Sequence, residues 1–136
     1  MHQIRLVHTS TLPLAELFDR LADHNRLQAV FGIPVRRIRD GQGDPNGVGS
    51  VRRLGVGPLA VEETVTGLEP QRSIDYRITR GGFPLREHRG HLQFEPLAVG
   101  SRVEWSIQFE SALPLAGTAL KLLLTLAIGQ GLKRLG

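Results

Sequence analysis

Apolar and polar residues alternate over the first ten positions of the chain. Ile4 and Leu6 fall on one side and Arg5 and Val7 on the other, the period of a strand with two unlike faces. From Thr11 the period lengthens. Leu14, Leu17, Phe18 and Leu21 recur at helical spacing, Ser10 or Thr11 stands at the N-cap, Pro13 lies in the first turn, and Glu16 sits near the positive end of the dipole. A second short helix over 25–30 carries Leu27 and Val30 and is stopped by Gly32 and Pro34. Beyond it, 35–111 reads as strand after strand. The turn Gly41-Gln-Gly-Asp-Pro-Asn-Gly47 opens a first hairpin, and strands are predicted over 48–56, 61–68, 73–79, 85–95 and 102–110. Ile74, Tyr76 and Ile78 alternate with Ser73, Asp75, Arg77 and Thr79, and Val103, Trp105, Ile107 and Phe109 alternate with polar neighbours. One wet and one dry face mark an antiparallel sheet covered on one side. The block 113–135 is helical, and its single narrow polar stripe of Thr118, Lys121 and Thr125 predicts a helix that buries two-thirds of its circumference.

This order predicts an α+β fold: a seven-stranded curved antiparallel sheet wrapped around a long C-terminal helix, with two short helices between strands 1 and 2. Such a sheet closing over one helix leaves space between them, and an apolar pocket with a few polar groups is what a ligand site looks like. The 136 residues form one domain, 1–136, large enough to bury roughly two-thirds of the unfolded surface. The last helix is a poor membrane span. Its longest apolar run, 122–128, contains Thr125, Lys121 would sit near mid-membrane at a cost of about 3 kcal/mol, and Gly117, Gly129, Gln130 and Gly131 weaken it further. The 122–128 surface remains open as a dimer face or a peripheral membrane contact, so the chain is expected to be a monomer or a homodimer.

Composition narrows the chemistry. With 40% hydrophobic and 22% charged residues the chain is an ordinary globular one, neither disordered nor fibrous. The lack of cysteine excludes disulfides, thiolate metal sites, iron–sulfur clusters and thiol nucleophiles. The net charge of +4 invites a nucleic-acid reading, but all but Lys121 and Lys133 of the 17 basic residues are arginines spread along the chain and interleaved with acids. A mixed solvated surface with no nucleic-acid partner is expected. No apolar leader precedes the first strand, so a cytoplasmic setting is the default. No metal or other cofactor is expected. His88 and His91, three apart on a strand, point to opposite faces, no His-Glu-x-x-His occurs, and Gly47-Val-Gly49 lacks the lysine and helix of a phosphate loop. The stretch from Asp40 lacks a calcium loop's distal glutamate, since Val51 stands there. No Gly-x-Ser-x-Gly elbow is present.

Strand parity nominates the inward residues. With Ile74, Tyr76 and Ile78 facing inward, parity is carried along each strand: Trp105 goes with Val103, Ile107 and Phe109; Leu92 and Phe94 carry Gly90, His88 and Arg86 inward; Glu63 goes with Val61 and Val65, and Arg53 with Val51. A bulge at Gly55 or Gly90 would break this parity. Arg53, Glu63, Tyr76, His88 and Trp105 are the candidate ligand-binding residues. His88 is the one candidate for acid–base catalysis, should the protein be an enzyme, because an imidazole moves protons near neutrality.

The runs Gly47-Val-Gly-Ser-Val-Arg-Arg53, Glu62-Glu63-Thr-Val, Pro70-Gln-Arg72, Ile74-Asp-Tyr76, Leu85-Arg-Glu-His-Arg-Gly90 and Val103-Glu-Trp105, in this order of elements, resemble the START-like (SRPBCC, helix-grip) superfamily. The nearest branch is the bacterial polyketide cyclase/dehydrase and lipid-transport family, and the resemblance spans essentially the whole chain. One departure is a turn, Val99-Gly100-Ser101, where the family commonly has Gly-Gly-Thr. The resemblance implies the fold and, for function, either carriage of a small hydrophobic molecule (lipid, aromatic or polyketide-like) or a cyclase/dehydratase-type reaction with His88 as acid–base. Binding or carriage is the expected function, because no complete catalytic set is visible.

Overall fold

A computed structural model describes residues 1–136. β1 (His2–Ser10) is followed by α1 (Leu14–Ala22), a 3-10 turn at His24–Arg26 and α2 (Gln28–Phe31). Then come β2 (Val35–Arg39), β3 (Val51–Leu54), β4 (Val61–Glu69), β5 (Ser73–Arg80), β6 (Leu85–Pro96), β7 (Ser101–Ser111) and α3 (Ala116–Leu135). All seven strands form one antiparallel sheet in the order β1-β7-β6-β5-β4-β3-β2. The predicted strand over 48–56 shrinks to Val51–Leu54, because Gly49 has φ 89 and Val48 is exposed in the preceding turn. The predicted 25–30 helix divides into the 3-10 turn, capped by the Asp23 side chain, which accepts from the Asn25 amide, and the single turn of α2, closed by Gly32 in the left-handed region.

One apolar core of 20 residues fills the concave side of the sheet. Ile4, Ile74, Tyr76, Leu92, Phe94, Val103, Trp105, Ile107 and Phe109 all face it at strand period, so one-residue slips are strongly disfavoured. Leu17, Phe18 and Leu21 of α1 close the lower end, where Phe18 meets Phe94 edge-on at 5.0 Å. α3 packs on α2, β1 and β7. Its buried seam is Gly117, Ile128, Gly131, Leu132 and Leu135, while Leu122, Leu123 and Leu126 are exposed. The expectation of a helix buried over two-thirds of its circumference is therefore corrected: α3 lies along the β1 side of the sheet and offers only one narrow face to it.

Four irregularities in the ladder set which side chains turn inward. Register shifts fall around Ile38 in β2, Thr66 in β4, Thr79 in β5 and the Glu87–His88 pair in β6, where Glu87 has φ 51. Gly90, expected as a bulge site, sits in regular register between Tyr76 and Ile107. Its missing side chain has a different cause. A Cβ there would lie 2.1 Å from the Tyr76 ring, which lies across the strand at that point.

Candidate functional site

The inner face of the sheet is apolar except at one place. Glu63 on β4 and Arg52 on β3 are direct cross-strand partners and therefore share a face. Both are buried, and the Arg52 Nε and Nη2 groups each donate to Glu63 Oε1 at 2.7 Å. The guanidinium also stacks over the Tyr76 ring at 4.6 Å. Its remaining arm reaches His24, with Nη1 donating to Nδ1 at 3.3 Å. Arginine has no acceptor, so Nδ1 must offer its lone pair and Nε2 carries the proton. That Nε2–H then donates to Ser50 Oγ at 2.8 Å. The His24–Ser50 pair is consequently oriented the wrong way for a serine nucleophile, which needs the imidazole to accept. It is a structural anchor that ties the 3-10 turn to the start of β3.

Burial leaves this group of ionisable side chains with a zero net charge. Desolvation, helped by nearby Arg52 and Arg37, pushes the His24 imidazole down to about 3. Burial also raises the Tyr76 hydroxyl far above its ordinary value, with Glu63 adding to the effect, so the phenol stays protonated. Trp105 Nε1 donates to the Tyr76 oxygen at 2.9 Å, which leaves the phenol's own proton to give. His88 is also buried, 5.8 Å from Tyr76 between ring centres, and its Nδ1 has no hydrogen-bond partner. Desolvation lowers its pKa against the opposing pull of Glu63, so it too is neutral at pH 7. An orphaned buried nitrogen costs about 1–3 kcal/mol and calls for an explanation.

Of the residues predicted from sequence, the structure brings Glu63, Tyr76, His88 and Trp105 together on the inner face. Arg53 is not among them. It lies on the outer face, paired with Glu62 at 3.0 Å and 38% exposed at its side chain, and Arg52 takes the inward place. Val51 misdirects the parity argument, because it is buried yet lies outside the core cluster, between Arg39 and Thr64 on the outer side. Arg86, also predicted inward, is exposed, since the Glu87–His88 bulge reverses parity before it. Sequence reasoning missed Arg52, His24 and Ser50. The available signal was that an inward Glu63 demands a cation opposite it, and the register Leu54↔Val61 supplies Arg52. His91 faces outward as expected, its Nδ1 2.6 Å from Asp75, and the bonds to Asp75 and Gln93 raise its pKa against partial desolvation.

The expected open cavity is not what fills the concave side. Trp105 occupies its centre, with Phe31 of α2 edge-on at 5.9 Å and Tyr76 at 6.4 Å. Depressions of about 270 to 580 Å3 indent the surface; one touches Tyr76 and another Arg53, and none of them is lined by His88, Glu63 or Trp105.

A curved sheet with one long C-terminal helix, and with one ion pair and a few neutral polar groups on an otherwise apolar inner face, defines a helix-grip domain of the START-like (SRPBCC) class. Within that class the chain belongs to the polyketide cyclase/dehydrase and lipid transport family, whose pattern matches residues 1–136. Solved structures agree on the fold. A protein from Thermobifida fusca superposes with a TM-score of 0.81 at 18% identity, covering 99% of this chain and 91% of that one. XoxI from Bacillus cereus gives 0.76 at 18% identity, with coverages of 99% and 93%. The di-domain ARO/CYC protein BexL of the BE-7585A biosynthetic pathway gives 0.76 at 14% identity, covering 99% of this chain and 45% of that one. No curated protein matches the chain by sequence.

Proposed function

We propose that the protein binds or carries a small, neutral hydrophobic molecule (a lipid, an aromatic or a polyketide-like compound) between the sheet and α3. The ligand's one polar group would be read by Tyr76, His88 and the Arg52–Glu63 pair, with Trp105 as the apolar floor. The observation that carries this reading is the buried, partnerless Nδ1 of His88 beside a charge pair that is already neutralised. A charged ligand would have to be desolvated with no counter-charge to spare, whereas a hydroxyl can donate to Nδ1 and accept from the Tyr76 phenol. The reading requires no metal, cofactor or nucleic acid, and takes the cytoplasm as its setting. Membership of a family described by lipid transport supports it generally.

The single tryptophan makes the test direct. Native mass spectrometry of freshly purified protein is expected to release a small apolar molecule on denaturing extraction. Titration with 2-naphthol should quench Trp105 saturably, and naphthalene, which lacks the hydroxyl, should bind roughly tenfold more weakly. His88→Ala should remove that preference while leaving naphthalene affinity unchanged. A clean apo mass together with no response of Trp105 to either probe would overturn the proposal.

One observation favours a second reading. The same Nδ1, held neutral by burial and next to Glu63, is placed to take a proton, as the acid–base group of a cyclase/dehydratase-type enzyme would. On that reading His88→Ala abolishes turnover of a polyketide-like substrate while affinity is retained.

A further inference from the structure

Four of the five most exposed large apolar side chains of this protein, Val56, Leu59, Phe83 and Leu115, are gathered at one end. Because neighbouring strands are antiparallel, the β3–β4 and β5–β6 connections, the β7–α3 connection and the start of β1 all lie at the same end of the sheet. Val56 and Leu59 are 74% and 90% exposed, Phe83 76% and Leu115 92%. Met1 and Leu113 are exposed beside them, and the leucines on the outer side of α3 continue the surface downward. The opposite end offers Ile38, Val48 and Val99, with Val7 on the outer face of β1. Large apolar side chains on consecutive loop tips do not pack the domain, and their concentration at one rim marks an interaction surface.

The charges are partly sorted along the same axis. Of the arginines at the lower end, Arg72, Arg102 and Arg37 are neutralised by Glu69, Glu95 and Asp40, while Arg39 has no carboxylate partner and Arg134 bonds backbone oxygens of α2. Arg36, Arg39, Arg77, Arg80, Arg86, Arg89 and Arg134 have no carboxylate partner; Arg77, Arg80, Arg86 and Arg89 lie on β5 and β6, which flank the Phe83 loop, and Arg36 lies at the rim end of β2. Arg80 and Arg86 flank Phe83 on either side of its hairpin. The bulges at Thr79 and Glu87 turn both of them to the outer face, in register with Glu62 and Glu110. Of the carboxylates near this rim, Glu62 is held by Arg53, leaving Glu87 and Glu110 against the free guanidinium groups of Arg36, Arg80 and Arg86, with Arg77 and Arg89 further along the same strands.

An apolar tip inside a cationic collar is complementary to a bilayer with an anionic headgroup layer, where apolar groups enter the acyl boundary and guanidinium groups meet lipid phosphates. We propose that this rim, led by Leu59, Phe83 and Leu115 with Arg36, Arg80 and Arg86 around them, docks the protein on an anionic lipid surface. The docking does not depend on any ligand at the inner site.

The test is co-sedimentation of the full chain with vesicles of phosphatidylcholine alone and of phosphatidylcholine mixed with phosphatidylglycerol. The wild-type protein is expected to sediment with the mixed vesicles, and much less with the neutral ones. Leu59→Ser/Phe83→Ser should weaken that binding at least tenfold, and Arg80→Gln/Arg86→Gln should abolish the preference for the anionic lipid. Val99→Ser, at the opposite end, should change nothing. All the altered side chains are exposed, and unchanged thermal melts would confirm that the variants fold. No sedimentation with either vesicle overturns the proposal. So does binding that Leu59→Ser/Phe83→Ser leaves intact, which would mark a basic patch for soluble polyanions. A dimer that dissociates in that variant, with no vesicle binding, would assign the rim to a second copy of the chain instead.

Discussion

At the scale of single residues, His24 shows how a buried polar network links folding to proton concentration. Its ring is fully enclosed, and Arg52 forces its Nδ1 to act as an acceptor, so protonation would break the bond to Arg52 and place two cations side by side. The folded protein therefore takes up this proton only near pH 3, whereas the unfolded chain takes it up near the ordinary value of 6.5. Below pH 6.5 the unfolded state binds more protons, so the stability held in neutral His24 is complete above that value and is lost as the pH falls toward 3. The loss is at most about 1.4 kcal/mol per pH unit for one such group. His88, shifted in the same direction, adds to the slope. Urea unfolding of the wild type and His24→Gln between pH 7 and pH 4 checks this. The variant should be less stable at pH 7, and the gap should narrow on acidification. A gap that stays constant would place the proton uptake elsewhere. His24 was not legible as a site residue, because its partners Ser50 and Arg52 lie 26 and 28 positions away across an irregular hairpin. Glu63, Tyr76, His88 and Trp105 were legible, because each sits on a stretch of strand where alternation runs undisturbed from an apolar landmark to the residue in question.

At the scale of elements, the strands were readable and the sidedness of the last helix was not. Alternation finds a strand wherever one face is wet, and β5 and β7 agree with their predicted limits to within one residue at either end. A bulge leaves no mark in composition, so the reversal of Arg86 had no warning. In α3 most positions up to Ile128 are apolar, and period alone cannot separate the buried seam from leucines that face outward. The glycines do separate them. A Cβ on Gly131 would lie 1.9 Å from the Val30 carbonyl oxygen, a backbone atom that cannot move aside, so that glycine is what allows α3 to lie directly on α2. Gly129, two residues earlier, has nothing within 4 Å of its Cβ position and only lowers helix propensity. Gly131→Ala is expected to destabilise the protein by about 2–3 kcal/mol through overpacking, and Gly129→Ala to stabilise it by about 0.5–1 kcal/mol. Thermal melts of the two variants decide the matter. Equal effects would mean that the α2–α3 contact does not hold the helix in place.

At the scale of the whole molecule, the order of elements was enough to specify the fold, and the interior was not specified to the same degree. Small and polar inward positions suggested empty space, but Trp105, Phe31 and Tyr76 close over one another instead. A ligand that reaches Trp105 must therefore pass through an opening, and the packing says where that opening is easiest. The strands β6, β7 and β1 are long, supply most of the core residues that come from the sheet and are backed by α1 or α3. The wing of β2 and β3 is short, ends the sheet, and holds its inner face through only two apolar core residues, Val35 and Leu54, together with the Arg52–Glu63–His24 network. Polar networks lose less on hydration than apolar cores do, and regions with few buried apolar contacts open at lower free energy than the global transition. Hydrogen exchange should accordingly show the amides of Val103, Trp105 and Ile107 opening only with global unfolding. Those of β2 and β3 should exchange much faster. Because the wing carries Arg52 and faces Glu63, a molecule bound at the inner site should slow exchange in β3 and β4 selectively, with little effect on β1 or β7. Uniform protection across all seven strands would mean that the sheet opens as one unit, and that a ligand enters past the exposed half of α3 rather than under the wing.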